Sequence, residues 1–188
     1  MDQSNADARQ LATLNGERVS LVPFEESYLD LVRAWRSDPE VTRYWISTAA
    51  PTEDQMRAWL EYNRRRRTLT WLIRDETGQP IGYTNLFDLH PLHRRAEVSL
   101  MIGDKSRWGQ GYATEALRTL LRHAFASPAD GGLGLHKVYL EVFAENTPAR
   151  RAYARCGFVE EGVRREDMFR DGAWHDHITM SILDREFV

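Results

Sequence analysis

Cysteine is nearly absent from this chain, which has one, Cys156, among 188 residues. A single cysteine excludes an intramolecular disulfide and favours a reducing compartment. No apolar run approaches the roughly 18–20 residues that a membrane-spanning helix needs. Residues 1–10 also lack the basic start and apolar centre of a secretory signal. We therefore expect a cytoplasmic protein that has no membrane contact.

A large excess of charge is missing too. The chain has 25 Lys and Arg against 28 Asp and Glu, for a formal net charge of −3. A dedicated nucleic-acid-binding protein would need a strongly basic face, so we expect no direct nucleic-acid partner. Hydrophobic residues make up 42% of the chain, which at this length is enough to form the core of one compact domain.

The hydrophobic pattern predicts a polar, flexible tail over residues 1–15 and a single α/β domain over residues 16–188. Alternating segments predict strands over residues 17–22, 68–74, 80–87, 97–102, 136–143, 158–165 and 174–183. Helical spacing predicts helices over residues 26–36, 52–65, 113–125 and 147–155, with Thr52 and Gln55 as a capping box for the second of these. Pro39 predicts the start of one more short helix.

The segment Trp108–Ala116 reads Trp-Gly-Gln-Gly-Tyr-Ala-Thr-Glu-Ala and joins a predicted strand to an amphipathic helix. Glycine at such a turn lets backbone N–H groups approach a ligand closely, and the N-terminus of the helix favours an anion. The segment is therefore a candidate pyrophosphate loop. Two glycines can also serve only to form a tight turn, so the wider context of the segment must decide.

This segment resembles the acetyl-CoA pyrophosphate loop of the GNAT acetyltransferase superfamily, Q/R-x-x-G-x-G/A. Gly111 and Ala113 match its fourth and sixth positions, whereas Trp108 stands where Gln or Arg is usual. Arg107 is the candidate for the missing positive charge. The segment 146–158 is similar to the family stretch N-x-x-A-x-x-x-Y-x-x-x-G-F. Together the two segments resemble the branch that contains RimJ/RimL-type ribosomal-protein N-acetyltransferases and spermidine acetyltransferases.

The resemblance, over about residues 17–188, implies a mixed, mostly antiparallel sheet of six to seven strands with helices on both faces. Two strands are expected to splay apart and admit acetyl-CoA. No metal is implied, and a homodimer or larger homo-oligomer stays open. Asn146 has a second interpretation as a helix N-cap. The residues expected to contact the cofactor are Leu100, Met101, Ile102, Arg107, Trp108, Gly109, Gln110, Gly111, Tyr112, Ala113, Thr114 and Asn146.

Transfer of an acetyl group to an amine requires a proton acceptor, because an alkyl amine titrates near ~10.4, and benefits from an acid that protonates the leaving thiolate. The resemblance makes Tyr153 that acid; the alternative is a core tyrosine. Glu97, in the string His-Arg-Arg-Ala-Glu that is similar to one in spermidine acetyltransferases, is the candidate base acting through water. Its alternative is an ion pair with Arg94 or Arg95. Glu141 is the second candidate base.

Three further features have mainly structural interpretations. The run Arg64–Arg67 is typical of a solvated helix end, although it could also dock an acidic protein or ribosomal RNA. His175 and His177 share a strand face, which is weak support for a metal site. Cys156 lacks a recognisable acid-base partner set, so we do not expect it to act as a nucleophile.

Several classes of acceptor compete. A protein N-terminal amine, such as that of a ribosomal protein, fits the overall pattern best. A polyamine is next, and Glu25, Glu26, Asp38 and Glu40 could line its site. A small aminated antibiotic or sugar is the third class. A module that only binds acyl-CoA as a sensor is the non-enzymatic alternative.

Overall fold

The computed structural model describes residues 11–47 and 49–188, so residues 1–10 of the predicted tail lie outside the described part. The strands of this part are β1 Leu14–Asn15, β2 Val19–Pro23, β3 Leu69–Asp75, β4 Pro80–His90, β5 Arg95–Ile102, β6 Lys137–Phe143, β7 Val159–Arg170 and β8 Ala173–Leu183. Its α-helices are α1 Leu29–Arg36, α2 Glu53–Arg65, α3 Tyr112–Phe125 and α4 Thr147–Arg155. No helix in these described ranges is both long and apolar enough to cross a bilayer.

The strands form one sheet in the order β1-β2-β3-β4-β5-β6-β8-β7. Neighbouring strands are antiparallel except β5 and β6, which are parallel and pair only where Arg95–Glu97 face Lys137–Tyr139. Beyond this point β5 continues to Ile102 and β6 to Phe143 without further pairing. The predicted splay between two strands is therefore confirmed, and Glu97 lies at the last paired position.

Helices cover both faces of the sheet, as predicted, because successive strand residues point to opposite sides. On the α3 face, Trp71 and Ile73 pack with the buried side of α3. On the α1 face, Leu72 and Tyr83 pack with α1 and α2. Each core is thus built from alternate residues of the same strands, which holds the splayed pair between two layers of helix.

Local capping places α2 where the sequence predicts it. Thr52 accepts a hydrogen bond from the Gln55 amide, and the Gln55 side chain accepts one from the Thr52 amide. The short helix predicted from Pro39 is wrong, since residues 39–44 form only turns. Lys105 fixes this segment by ion pairs with Asp38 and Glu40 at 2.8 and 3.0 Å, so tertiary contacts rather than a helix determine its shape.

The sheet has eight strands rather than six to seven because a strand of two residues forms within the predicted tail. Leu14 and Asn15 pair with Leu21 and Ser20, and the Trp71 indole donates to the Ala12 carbonyl at 3.0 Å. The ordered chain thus begins before residue 16. The β1–β2 pairing is a local hairpin, whereas the Trp71 bond joins residues 59 positions apart, which no local pattern reveals.

Candidate active site

The glycine loop meets the N-terminus of α3 on backbone that favours glycine. Gly109 has φ +72° and Gly111 has φ +88°, in the left-handed region that other residues rarely adopt. Gly111 is the N-cap of α3 and supplies no side-chain cap, whereas α2 and α4 have side-chain caps. The first amides of α3 therefore lack the side-chain partner that a cap would give them. Together with the helix dipole, they fit an anionic ligand such as a pyrophosphate.

Side chains of the loop brace the loop itself. The Trp108 indole donates to the Ile102 carbonyl at 2.8 Å, and the Gln110 side-chain amide donates to the Ser106 carbonyl. Tyr112 is buried and donates its hydroxyl to the Glu76 carboxylate at 2.9 Å, so its side chain faces the core and not the loop surface. These contacts leave the loop backbone, rather than its large side chains, as the surface that a ligand would meet.

Arg107 does not lie where a free positive charge was expected. Its guanidinium is 2.6 Å from the Asp75 carboxylate, whose side chain is fully buried. Burial alone would raise the pKa of Asp75, but hydrogen bonds from Thr77 and the Gln79 amide, with the charge of Arg107, keep that pKa below its usual value. Arg107 therefore neutralises a buried acid, and its role as the positive charge of the loop stays a prediction.

The cofactor segment of β5 borders the splay. Leu100, Met101 and Ile102 pair with β4 on one side, and β6 has already diverged on the other. Leu100 and Ile102 pack towards the α3 face, whereas Met101 is buried on the α1 face. The edge of this segment that faces the cleft therefore has no strand partner among the described residues, although the Trp108 indole bonds the Ile102 carbonyl. An edge without a strand partner suits the amide-rich arm of acetyl-CoA.

Helix α4 begins at the wide end of the splay and carries two predicted site residues. The Asn146 side-chain oxygen Oδ1 accepts a hydrogen bond from the Ala149 amide at 3.3 Å, so the N-cap interpretation is confirmed, and a direct cofactor contact stays a prediction. Tyr153 packs on the α3-face core with its ring 5.8 Å from that of Phe158. Burial raises the pKa of Tyr153 to about 12, so its hydroxyl keeps its proton at neutral pH.

Glu97 lies on the opposite face of the splay from Tyr153. Its neighbours Ala96 and Val98 are in the α3-face core, so the Glu97 side chain points to the α1 face. Burial, followed by the charges of Glu141 and Asp88, raises the pKa of Glu97 to about 7. A carboxylate with such a pKa is a far better proton acceptor at neutral pH than an ordinary glutamate. The predicted acid, Tyr153, and the predicted base, Glu97, thus lie on the two faces of the splay.

Comparison with known families decides the identity of this arrangement. A family model described as an acetyltransferase (GNAT) domain matches residues 18–159. The chain belongs to the GNAT acetyltransferase family. It is an N-acetyltransferase that uses acetyl-CoA as its donor, and the uncapped α3 N-terminus beside the splay fits this co-substrate.

The acetyltransferase is similar along most of its length to characterised relatives. It is 27% identical to the spermidine N(1)-acetyltransferase of Vibrio cholerae, covering 91% of this chain and 96% of the relative. The crystal structure of spermidine N-acetyltransferase from Vibrio cholerae with CoA and spermine matches with a TM-score of 0.81 at 26% identity, covering 90% and 97%. The Mycobacterium smegmatis RimJ structure with CoA-disulfide matches with a TM-score of 0.78 at 26% identity, covering 93% and 88%.

A cationic residue, Arg164, lies among the acidic residues near Glu97. Arg164 forms an ion pair with Glu141 and a second one with Asp167 at 2.9 Å. His177 is buried and its Nδ1 is 3.2 Å from the Asp167 carboxylate. Potential metal-ligand atoms of Glu141, Asp167 and His177 lie within 4.8 Å of one another. Because Arg164 already provides the two carboxylates with a cation, we assign no metal to them.

The contacts of the arginine run and of Cys156 agree with structural roles. Arg64 forms an ion pair with Glu61 at 2.7 Å in the last turn of α2, which agrees with a solvated helix end. The Cys156 thiol is buried and donates to the Thr114 carbonyl at 3.4 Å, and burial raises the pKa of Cys156 to about 11. A thiol that stays protonated at neutral pH is a poor nucleophile.

We expect the pH dependence of kcat/KM to rise through pH 7 and then level off, because Glu97 must be ionised to accept a proton. Glu141→Gln removes a like charge, so it lowers the pKa of Glu97 and moves the acid limb to lower pH. Arg164→Gln removes a favourable charge and moves the limb to higher pH. Initial rates at acceptor concentrations well below KM, with acetyl-CoA saturating, measure both shifts. If kcat/KM of Glu97→Gln still falls at acidic pH, the ionisation of another group causes that fall.

Proposed function

We propose that the acceptor of this acetyltransferase is a polyamine of the spermidine type, with Glu97 as base and Tyr153 as acid. The observation that carries this proposal is the acidic surroundings of the base. Glu97 pairs with Tyr139, two residues before Glu141, and with Phe87, the residue before Asp88, so the three carboxylates lie near one another. The charges of Glu141 and Asp88 both raise the pKa of Glu97. We call Glu97, Glu141 and Asp88 the acceptor carboxylates.

These carboxylates suit a ligand that carries more than one ammonium group. A polyamine has a charged group beyond the amine that reacts, and each such group gains from a nearby carboxylate. A protein N-terminal amine titrates near ~7.7–8.0 and carries a single charge, so it needs no second anion. The relatives support the same choice, since spermidine acetyltransferases align over nearly the whole chain. A RimJ structure matches about as well, and therefore the protein N-terminus is the second candidate.

The acidic residues expected from the first helices are engaged elsewhere. Asp38 and Glu40 form ion pairs with Lys105, and Glu26 lies 3.9 Å from Arg64. The acceptor carboxylates come instead from strands β5 and β6 and from the bulge in β4 that contains Asp88. Ion pairing does not separate the two sets, because Glu141 is itself paired with Arg164. We place the proposed polyamine site on the sheet because the proposed base, Glu97, lies there.

The proposed chemistry has two proton transfers. Acetyl-CoA supplies a thioester, and the amine nitrogen forms the new C–N bond as the C–S bond breaks. Glu97 accepts the proton that the amine loses. Because the pKa of Glu97 is raised, it differs less from the pKa of an alkyl amine, which is ~10.4. Tyr153 gives its proton to the departing thiolate and is reprotonated from solvent. No covalent intermediate on the protein is needed.

The test is thiol release from acetyl-CoA with spermidine, butylamine, an aminoglycoside and short N-terminal peptides as acceptors. We expect kcat/KM for spermidine to exceed that for butylamine by roughly 10- to 100-fold, because the second charge is recognised. Glu141→Gln should reduce this ratio, whereas Glu53→Gln, on the exposed surface of α2, should leave it unchanged. Faster turnover of the peptides would favour a protein N-terminus instead. CoA binding without any release would favour the sensor role.

A further inference from the structure

We propose that Arg18, the residue immediately before β2, is a positioning residue for the pyrophosphate loop. It holds the Gly111 turn in shape and cancels a negative charge that α3 would otherwise present to the pyrophosphate. No sequence pattern marks Arg18, because 92 positions separate it from Gln110.

The contacts of Arg18 bridge both sides of the glycine turn. Its two terminal guanidinium nitrogens each lie 3.3 Å from the Gln110 carbonyl oxygen, immediately before Gly111. Its Nε and backbone amide both donate to the Glu115 carboxylate, in the first turn of α3. The guanidinium also lies over the Tyr112 ring, 4.8 Å from its centroid. One side chain from a distant part of the chain, just before β2, therefore links the loop, the turn and the helix.

The pairing with Glu115 has an electrostatic consequence for the ligand. An acidic residue in the first turn of a helix stabilises that helix through its dipole, but it repels an anion bound at the same N-terminus. The Glu115 side chain is only 18% exposed, so water screens its charge weakly. The ion pair with Arg18 at 3.0 Å offsets that charge and keeps the amides of α3 available to a phosphate.

Arg18 also lies close to the position that a side chain at residue 111 would occupy. A Cβ at position 111 would lie 3.3 Å from a terminal nitrogen of Arg18, a tight contact. Glycine at this position therefore permits the positive φ and also the close approach of the guanidinium. Arg107, the nearer arginine in sequence, is committed to Asp75 and cannot take this place.

The test measures CoA binding by calorimetry and compares two donors kinetically, with whichever amine the unaltered enzyme acetylates. Acetyl-CoA carries the pyrophosphate, whereas S-acetylpantetheine has the same thioester and arm without it. We expect Arg18→Ala to weaken CoA binding, and to lower kcat/KM for acetyl-CoA, by roughly 10- to 100-fold. The kcat for acetyl-CoA and the kcat/KM for S-acetylpantetheine should change little.

A second substitution separates positioning from mere stability. Glu115→Gln in the Arg18→Ala background removes the uncompensated charge and should restore part of the CoA affinity. Arg57→Ala, which breaks an ion pair with Glu53 on α2, is the matched control. It should change neither CoA binding nor kcat/KM for either donor. Equal losses with the two donors, or a double variant that binds CoA as weakly as Arg18→Ala, would overturn the proposal.

Discussion

Tyr153→Phe is expected to lower kcat by on the order of 10²- to 10⁴-fold, the usual contribution of an acid-base group, while the affinity for CoA barely changes. Phenylalanine preserves the ring that packs 5.8 Å from Phe158, so the α3-face core stays filled. Among the described residues, no recorded hydrogen bond involves the Tyr153 hydroxyl. The substitution therefore removes the acid without leaving a partner unsatisfied, and we expect little loss of stability.

Steady-state rates, CoA calorimetry and the unfolding midpoint together test this expectation. Tyr62→Phe is the matched control, because Tyr62 is exposed on α2 and its hydroxyl accepts a hydrogen bond from the nearby Arg66. Its kcat should equal that of the unaltered enzyme. Unchanged turnover in Tyr153→Phe would remove Tyr153 from the mechanism and leave protonation of the thiolate to solvent.

Gly111→Val is expected to abolish CoA binding at ordinary concentrations, with a loss on the order of 100-fold or more. A β-branched residue at φ +88° is strained by about 1–3 kcal/mol. Its Cβ would also press on Arg18 at 3.3 Å, and its methyl groups would crowd the amides at the start of α3. Calorimetric titration with CoA measures this effect directly.

Gly131→Val controls for backbone strain alone. Gly131 has φ +80°, no atom lies within 4 Å of the Cβ it would gain, and it lies in the loop between α3 and β6. This variant should lose comparable stability and still bind CoA. If Gly111→Val bound CoA normally, the segment 108–116 would be only a tight turn, which is the alternative interpretation of its glycines.

The sequence and the structure give different information about which amine is the acceptor. The string containing Glu97 favours a polyamine from the sequence, but it says nothing about the charges around the base. The structure adds Glu141 and Asp88, which raise the pKa of Glu97, and Arg164, which lowers it. That balance of charges connects the acceptor preference to the pH profile, so one set of variants tests both.

Local sequence determined the features whose causes lie within a few residues. Helix α4 spans Thr147–Arg155 as predicted, because Asn146 caps its start and Gly157, at φ +96°, follows its end. The capping box of α2 and the glycines before α3 are similarly local, since a helix end is specified by its own neighbouring residues. The family resemblance came from the same kind of short segment.

The tertiary structure alone decided what depends on residues far apart in the chain. It placed Arg107 against Asp75 and brought Arg18 to Gln110, and it ended the pairing of β5 with β6 at Glu97. Charge and burial act through space, so the pKa of Glu97 follows from which strands meet rather than from the adjacent sequence. The sequence therefore determined the local elements and the reaction class, whereas the packing of the sheet decided which charges the acceptor and the pyrophosphate would meet.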